Sequence, residues 1–398
     1  MSEWFPFLHE WLNLFVRWIH LIAGISWIGS SFYFMWLDAH IAEPEHPREG
    51  VEGELWMVHS GGFYQVEKRL IRPGEMPKIL HWFKWEATFT WLSGFVLLGI
   101  VYYTTGGMYL VDPAVSSLSP GAASAIGLGL LVSAWFIYDL IFQSPLGKTG
   151  KAASAVSIFL IIGVAYGLCH LFSGRAAYIH VGAMFGTLMV LNVWVRILPA
   201  QQAMIDATKE GRKPDYSLGL AAKRRSVHNT YMTFPVLFIM LSNHYPMTYA
   251  HPMNWVVLLL LVGAGAGVRH YMVAKDRRAV WILLPVGAAL LALFVMTAPQ
   301  PTPAVGSGAG PAVPFTSAYA VISSRCFACH SSHPTDDIFK VAPNGVTFDS
   351  PERVKALAPR IRERVVVLKT MPLANKTGIS QEERDLLGRW IDGGAKLE

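Results

Sequence analysis

The sequence predicts an all-α fold: an eight-span transmembrane helical bundle followed by a small soluble helical domain. Hydrophobic residues make up 53% of the 398 residues and charged residues only 15%, well below the roughly 25% charged residues of ordinary soluble domains. Such a chain has too little polar side chain to cover a soluble globule, and its hydrophobicity excludes intrinsic disorder. Apolar runs long enough to cross a bilayer recur over most of the chain and are missing from its last part.

Eight apolar runs are each long enough for a membrane-spanning helix, which needs about 20 residues. They cover residues 12–36, 80–104, 122–142, 153–172, 177–199, 228–247, 254–273 and 279–297. The first run has neither a basic leader nor a small-residue cleavage site, so we expect it to be a retained span and not a signal peptide.

Three regions follow from this pattern. Residues 1–297 form the predicted transmembrane domain. Residues 298–314 are rich in Pro, Gly and Ala without hydrophobic periodicity, which is typical of a linker. Residues 315–398 are numerous enough for one small soluble domain.

Basic residues are distributed unequally between the two sides of the predicted bundle. Loops 37–79, 143–152, 200–227 and 274–278 together carry sixteen Lys and Arg, whereas the opposite loops carry only Arg175. The positive-inside rule therefore places both termini outside the cytoplasm. This topology accounts for the net charge of +6, so we predict no nucleic-acid partner.

The strongest chemical motif lies in the soluble tail. Cys326, Cys329 and His330 have the C-x-x-C-H spacing of c-type haem attachment, in which two thiols form thioethers and the adjacent imidazole ligates iron. Met371, followed by Pro372, is the predicted second axial ligand, as in His/Met cytochromes. We therefore predict a class I-like cytochrome c domain with covalent haem c, whose iron is bound by His330 and Met371.

Zinc binding and thiol redox chemistry are the alternatives for this motif. A structural zinc ion takes four ligands, and only His333 lies near the two cysteines in sequence. Thioredoxin-type chemistry is typical of a βαβ context, which the sequence lacks. The last helix should begin at Ser380 with a capping box to Glu383.

Ionisable residues inside predicted spans are costly in lipid and are therefore functional candidates. They cluster in the first, second and sixth spans, where the polar and aromatic candidates are Arg17, His20, Trp27, Trp85, Glu86, His228, Asn229 and Thr233. Several histidines in different spans also leave open a b-type haem held between two helices. The sequence identifies no unique histidine pair, and His20 is a candidate ligand as well as a candidate site residue.

Four segments resemble the bacterial integral-membrane, cytochrome c-linked urate oxidases, also called urate hydroxylases. These segments are WIHLIAGISWIGSSFYFMWLD, KWEATFTWLSGF, VHNTYMTFPVLFIMLSNH and the terminal CFACH…KTMP. The resemblance implies oxidation of urate to 5-hydroxyisourate in purine degradation, with electrons passed to the cytochrome and not to oxygen. It also implies a multi-pass protein of the bacterial inner membrane with a periplasmic cytochrome domain. Its partners would be the lipid bilayer and a downstream respiratory acceptor, either a cytochrome c or an oxidase.

The candidate residues acquire roles once urate is the expected substrate. Urate is a flat purine anion, so its pocket needs a cation, hydrogen-bonding groups, aromatic faces and a base. The residues expected to be catalytic are His20, Glu86, His228 and Asn229. The residues expected to bind substrate are Arg17 as the anion partner, Trp27, Trp85 and Thr233.

Two other classes of function remain open at this stage. A membrane-anchored electron carrier with no substrate of its own would need only one span. A dehydrogenase for quinol or another small reductant would also deliver electrons to the cytochrome domain, but a quinol site should be apolar and face the lipid. Haem reduction by urate rather than by quinol discriminates between these functions.

Overall fold

The computed structural model describes residues 4–72, 75–274, 277–298 and 313–398, and these ranges are mostly helical. The N-terminal helices are α1 Trp4–His40, α2 Trp85–Leu98, α3 Pro120–Gln143, α4 Pro145–Thr149, α5 Lys151–Leu171, α6 Gly174–Leu191, α7 Leu198–Lys209, α8 Tyr216–Ser242, α9 Pro246–Tyr249, α10 Asn254–Val273 and α11 Leu283–Thr297. π-helical turns over Gly99–Tyr103 and Asn192–Ile197 extend α2 and join α6 to α7, and a 3₁₀ turn over Arg277–Ile282 precedes α11.

Shorter helices build the C-terminal tail. They are α12 Phe315–Arg325, α13 Pro351–Ala356, α14 Ala358–Ile361 and α15 Gln381–Asp392, with 3₁₀ turns at Pro343–Gly345 and Leu373–Asn375 and a π turn at Arg362–Val367. Helix α15 begins as predicted, since the Ser380 hydroxyl accepts from the Glu383 backbone N–H and the Glu383 carboxylate accepts from the Ser380 N–H.

Seven helices in the described ranges are long and apolar enough to cross a membrane. They are Phe7–His40, Trp85–Tyr103, Pro120–Gln143, Lys151–Leu171, Gly174–Lys209, Asn254–Val273 and Ala279–Thr297. They overlap seven of the eight predicted spans, so the chain is compatible with a membrane protein. The remaining predicted span, 228–247, lies mostly in α8, which is long enough but has a polar first half.

A β-hairpin corrects the all-α expectation. Strands β1 Val51–His59 and β2 Gly62–Arg69 pair antiparallel inside the loop that follows α1. The turn residues Ser60 and Gly61 both have positive φ, at 49° and 77°, which matches the twist of a two-residue hairpin turn. No long apolar run marks this hairpin, because its strands are much shorter than a membrane span and largely exposed.

The core of the membrane-type body is centred on α6. Tyr178, Val181 and Phe185 are almost fully buried and belong to one apolar cluster with residues of the surrounding helices. Large apolar side chains point outward elsewhere, and Phe159 and Phe294 are each 74% exposed. An outward apolar surface of this kind suits contact with lipid rather than with water.

The C-terminal tail has a separate apolar cluster of its own. Ile322, Val354, Leu387 and Trp390 are buried in it. The tail also touches the body, because the Phe339 ring lies 6.3 Å, centroid to centroid, from the Tyr109 ring in an edge-on contact. The predicted linker 298–314 lies almost wholly outside the described residues.

Candidate active site

A polar cluster of four side chains lies between α3, the end of α6 and α8. The Tyr138 hydroxyl is 2.8 Å from Nδ1 of His228. Asn192 Nδ2 donates to the Tyr138 hydroxyl at 3.0 Å and to Oδ1 of Asn229 at 2.8 Å. Asn229 in turn donates to the Met189 carbonyl at 2.9 Å. The hydrogen bond to Tyr138 orients the His228 ring through Nδ1, and Nε2 takes no part in these hydrogen bonds.

Beside this cluster, the Asp139 carboxylate is held by two arginines. Arg225 donates to Oδ1 at 2.8 Å, and Arg196 donates to the same oxygen through Nε at 2.9 Å and to Oδ2 through Nη2. Gln143 donates to Oδ2 at 2.5 Å. Two guanidinium groups and one carboxylate leave this ion group with one uncompensated positive charge.

The π-helical turn Asn192–Ile197 places two of these side chains. Pro199 follows the turn closely, and a proline inside a helix removes a backbone hydrogen bond and clashes with the preceding turn. The wider π turn absorbs this misfit, and Asn192 faces α8 while Arg196 reaches Asp139. Single π turns inside helices are frequent at functional sites for this reason.

Close packing of α6 on α8 brings the two sides of the cluster together. A Cβ atom at Gly182 would lie 2.5 Å from Cγ2 of Ile239, so only glycine allows this approach. The buried positions Arg225, Thr233 and Ile239 recur along α8 at helical spacing and define the face it turns toward the body. The site therefore lies on the buried face of α8.

Aromatic rings form one wall of the site. The Phe142 and His228 ring centroids are 4.4 Å apart. The Arg225 guanidinium lies over the Tyr138 ring at 4.8 Å and over the Phe142 ring at 5.4 Å. Contacts of this kind between cations and aromatic faces also suit a flat, electron-rich ligand.

Two buried polar atoms of the cluster have no hydrogen-bond partner in the described structure. They are Oδ1 of Asn192 and Nη1 of Arg225. Asn192 is 0% exposed and Arg225 is 7% exposed. Because buried polar groups are almost always satisfied, a free acceptor and a free donor on two residues that both contact Tyr138 indicate a place for a polar ligand.

Three predicted site residues lie on this face of α8. His228 and Asn229 are members of the polar cluster itself. Thr233 is buried one turn further along, and its hydroxyl donates to the Asn229 carbonyl at 3.0 Å. Thr233 therefore supports the helix at the site, with its hydroxyl turned to the backbone.

The predicted residues of α1 have other neighbours. His20 packs against α2, with Nδ1 3.0 Å from the Thr90 carbonyl oxygen and 3.1 Å from the Ser93 hydroxyl. Arg17 is exposed and donates to Oδ1 of Asn13 at 2.9 Å. Trp27 is half-buried on the same helix. None of these contacts joins α1 to the polar cluster.

The predicted residues at the start of α2 also lie apart from His228. Trp85 is exposed and packs edge-on against the Trp194 ring at 5.9 Å. Glu86 is half-buried, and its buried Oε2 has no hydrogen-bond partner in the described structure. Trp194 and Asn192 belong to the same π turn. Trp85 contacts this turn through Trp194, whereas the polar cluster contacts it through Asn192.

Sequence reasoning missed five members of the site: Tyr138, Asp139, Asn192, Arg196 and Arg225. A signal for one of them was present, since Arg225 lies three residues before His228 and therefore on the same helical face. Asn192 and Arg196 also interrupt an apolar run just before Pro199, where a polar residue is expensive. Only the fold could pair these residues with α3.

His180 and His20 differ in whether a ring nitrogen is left for the iron of a b-type haem. His180 is 0% exposed, and both ring nitrogens are engaged, Nε2 by the Tyr103 hydroxyl at 2.9 Å and Nδ1 by the Ala176 carbonyl at 2.8 Å. This arrangement does not fit iron ligation by His180. His20 keeps Nε2 outside its two hydrogen bonds.

The C-x-x-C-H segment in the tail forms a tight turn at the end of α12. The His330 N–H donates to the Cys326 carbonyl at 2.9 Å, so one helical turn brings the cysteines and the histidine together. Nδ1 of His330 donates to the Val346 carbonyl at 2.9 Å, which fixes the ring and leaves Nε2 for a ligand bond. Burial lowers the pKa of His330 and favours the neutral, ligating form.

The remaining donors of this segment also fit a c-type haem. Burial raises the pKa of the Cys326 thiol to about 12, and burial together with Asp336 raises that of Cys329 to about 11. Met371 packs against the same apolar cluster as Cys326. Its carbonyl accepts a hydrogen bond from Arg384 at 2.8 Å, which anchors the Met371 backbone. Two thiols, one imidazole and one thioether are the donor set that such a haem requires.

A comparison with known protein families identifies the body of the chain. The model of the urate oxidase N-terminal family matches residues 6–299. The chain belongs to this family. Membership confirms the resemblance for the membrane-type body and makes the chain, at a coarse level, an oxidoreductase related to urate oxidation. Neither a curated protein nor a solved structure matches the chain.

Proposed function

We propose that the membrane body oxidises urate to 5-hydroxyisourate and that the electrons pass to a c-type haem in the tail. The half-reaction consumes urate and water and yields 5-hydroxyisourate, two protons and two electrons. Water supplies the new oxygen atom, and because oxygen is not the acceptor, peroxide is not a product. Membership of the urate oxidase N-terminal family supports urate as the substrate.

The two unpartnered atoms of the polar cluster are the reason for placing urate there. A purine edge presents both N–H donors and carbonyl acceptors. The free Oδ1 of Asn192 can accept from a urate N–H, and the free Nη1 of Arg225 can donate to a urate carbonyl oxygen. Arg225 and His228 both contact the Phe142 ring, so a urate bound beside them would also meet an aromatic face.

Charge favours the same position. Urate is a monoanion at neutral pH, and the ion group of Asp139, Arg196 and Arg225 has one positive charge in excess. Binding urate would therefore neutralise the group in a region where unpaired charge is expensive. Arg225 takes the role that the sequence assigned to Arg17.

His228 is the proposed base. In the tautomer with a proton on Nδ1, that nitrogen donates to the Tyr138 oxygen, 2.8 Å away, and Nε2 can accept a proton from urate or from the attacking water. Asn192 also donates to the Tyr138 oxygen, which holds Tyr138 in place for this role. Asn229 orients Asn192 through its 2.8 Å hydrogen bond.

Cys326, Cys329, His330 and Met371 would hold the electron acceptor. A haem bound there accepts one electron at a time, with a potential raised by the soft thioether ligand. Cys326 and Cys329 would form the two thioether links, and His330 and Met371 would ligate the iron. The linker at 298–314, the tail domain at 315–398 and the span at 228–247 stay predictions from the sequence.

Contacts between the body and the tail support the proposed topology. Phe339 of the tail packs on Tyr109, which lies in the 105–121 loop predicted to be outside the cytoplasm. Loop and tail were assigned to the same side of the membrane from charge alone. We therefore propose an inner-membrane location with the tail in the periplasm and a respiratory cytochrome c or oxidase as the next acceptor.

Anaerobic reduction of the haem by urate tests the proposal. The full chain is purified in detergent and oxidised, urate is added without oxygen, and the c-haem absorbance is followed. Two electrons per urate predict that half an equivalent of urate reduces one haem. The same titration with a quinol is the comparison, and reduction by quinol but not by urate would favour the quinol dehydrogenase.

A variant pair connects the activity to the site. His228→Ala should abolish haem reduction by urate while leaving reduction by dithionite intact. His40→Gln is the matched control, because His40 is an exposed histidine at the end of α1 that stacks on Trp36. Equal rates in the two variants would exclude His228 as the base.

A further inference from the structure

Arg269 is a fully buried cation without a described counter-charge. It lies four residues before the end of α10 and is 1% exposed. Among the described residues, its Nε and Nη1 have no hydrogen-bond partner, and its Nη2 contacts the Met35 sulfur. A thioether carries no charge and is a weak acceptor. No described carboxylate forms an ion pair with Arg269, in contrast to Arg225.

The surroundings of Arg269 are aromatic and apolar. Tyr231 on α8 has its hydroxyl 2.7 Å from Nδ1 of His270, the residue that follows Arg269. Phe32 on α1 and Phe234 on α8 face each other with ring centroids 5.7 Å apart. An unpaired guanidinium is unfavourable in such a place because its charge has lost its hydration without gaining a counter-ion. The side chain stays protonated, so an anion from outside the chain is the means to offset this cost.

We propose that Arg269 is the centre of a phosphate-type oxyanion site between α1, α8 and α10. A phosphate group has several acceptor oxygens and can accept from Nε and Nη1 together. Met35 and Arg269 both lie near helix ends that adjoin the basic loops 37–79 and 274–278. This is the predicted cytoplasmic face, where basic pockets between helices bind anionic headgroups.

The Arg269 site is separate from the proposed urate site. Tyr231 and Phe234 are on the face of α8 turned toward α1 and α10, whereas His228 contacts α3. The phosphate can come from two sources, an anionic lipid headgroup or free phosphate. The proposal does not depend on urate as the substrate, and it holds for any function of the α8 cluster.

Ligand titrations of the wild-type chain are the first test. The full chain is delipidated in detergent, and the midpoint of thermal unfolding is followed by tryptophan fluorescence. Inorganic phosphate is compared with chloride at equal ionic strength, and phosphatidylglycerol is compared with phosphatidylcholine in mixed micelles. A saturable rise with phosphatidylglycerol alone identifies a lipid headgroup, and one with free phosphate alone identifies a soluble ligand. A rise with both assigns the shared phosphate chemistry, and no saturable rise overturns the proposal.

Substitutions then assign the response to Arg269. We expect Arg269→Gln to weaken the apparent affinity about tenfold or more, the loss that follows from removing hydrogen bonds of a charged donor. Arg269→Lys keeps the charge and should retain part of the response. Arg212→Gln is the control, because Arg212 is exposed and pairs with Glu210. An unchanged response in Arg269→Gln overturns the proposal. If Arg269→Gln does not fold, the proposal is overturned when Arg269→Lys leaves the response unchanged and Arg212→Gln abolishes it.

Discussion

Replacement of Arg225 by methionine is expected to weaken urate binding without removing the catalytic base. The change deletes one guanidinium of the ion group and takes its excess charge from one to zero, because Arg196 still pairs with Asp139. It also removes Nη1, the free donor proposed to reach a urate carbonyl oxygen. A hydrogen bond from a charged donor is worth about 2 kcal/mol, which predicts a KM for urate about 30-fold higher.

The assay is the initial rate of anaerobic c-haem reduction as a function of urate concentration. Arg224→Met is the matched control: Arg224 is the neighbouring arginine on α8, is exposed, and touches only the Gly147 carbonyl, at 3.4 Å, among its described polar contacts. Arg225→Lys keeps the charge but loses the planar donor geometry, so it should recover part of the affinity. A KM for Arg225→Met within threefold of the wild-type value, or an equal rise in Arg224→Met, would refute the placement of urate beside Arg225.

Four further predictions concern the tail and the electron path. Cys329→Ala should yield a chain whose haem is no longer fully retained on a denaturing gel stained for haem, and Met371→His should lower the haem potential in a redox titration, because a soft thioether is lost. The Arg325 guanidinium, with the Ser380 N–H, holds the pKa of Glu383 below its usual value, so the stability it confers is complete above about pH 4.5 and is lost as the pH falls through the lower folded pKa. Glu383→Gln should therefore cost about 1 kcal/mol near pH 7 and flatten the acid limb of the unfolding curve, and an unchanged limb would contradict this assignment. Eighteen residues of helix separate Asn192 from Gly174, where α6 begins beside the predicted outer loop, about 27 Å, so electrons from the proposed site need an intermediate carrier to reach an external haem. We therefore expect a b-type band in the dithionite-reduced spectrum that His20→Ala removes, and a c-type spectrum alone with full urate turnover would move the oxidation site toward the outer end of the bundle.

The sequence predicted the architecture well because that part of the fold follows from local patterns. Seven of the expected spans coincide with apolar helices, and the Ser380 capping box forms as expected. The hairpin at Val51–His59 and Gly62–Arg69 escaped prediction because it has no long apolar run. The site was only partly predictable, since pairing Asn192 with Asn229 depends on a π turn and on helix packing that no local pattern encodes.

Helix α8 is not among the seven helices of span-like apolarity because of the side chains that it turns toward the body. A span that faces lipid on all sides must be apolar, but α8 turns Arg225, His228 and Asn229 toward α3 and α6, where each of them forms hydrogen bonds with protein groups. Its first half therefore falls below the apolarity of a lipid-facing helix while its length, 27 residues, still exceeds what a bilayer requires. The polar groups that lower the hydropathy of α8 are those proposed to bind urate, so we expect their replacement by leucine to raise the hydropathy of the span and to abolish urate oxidation.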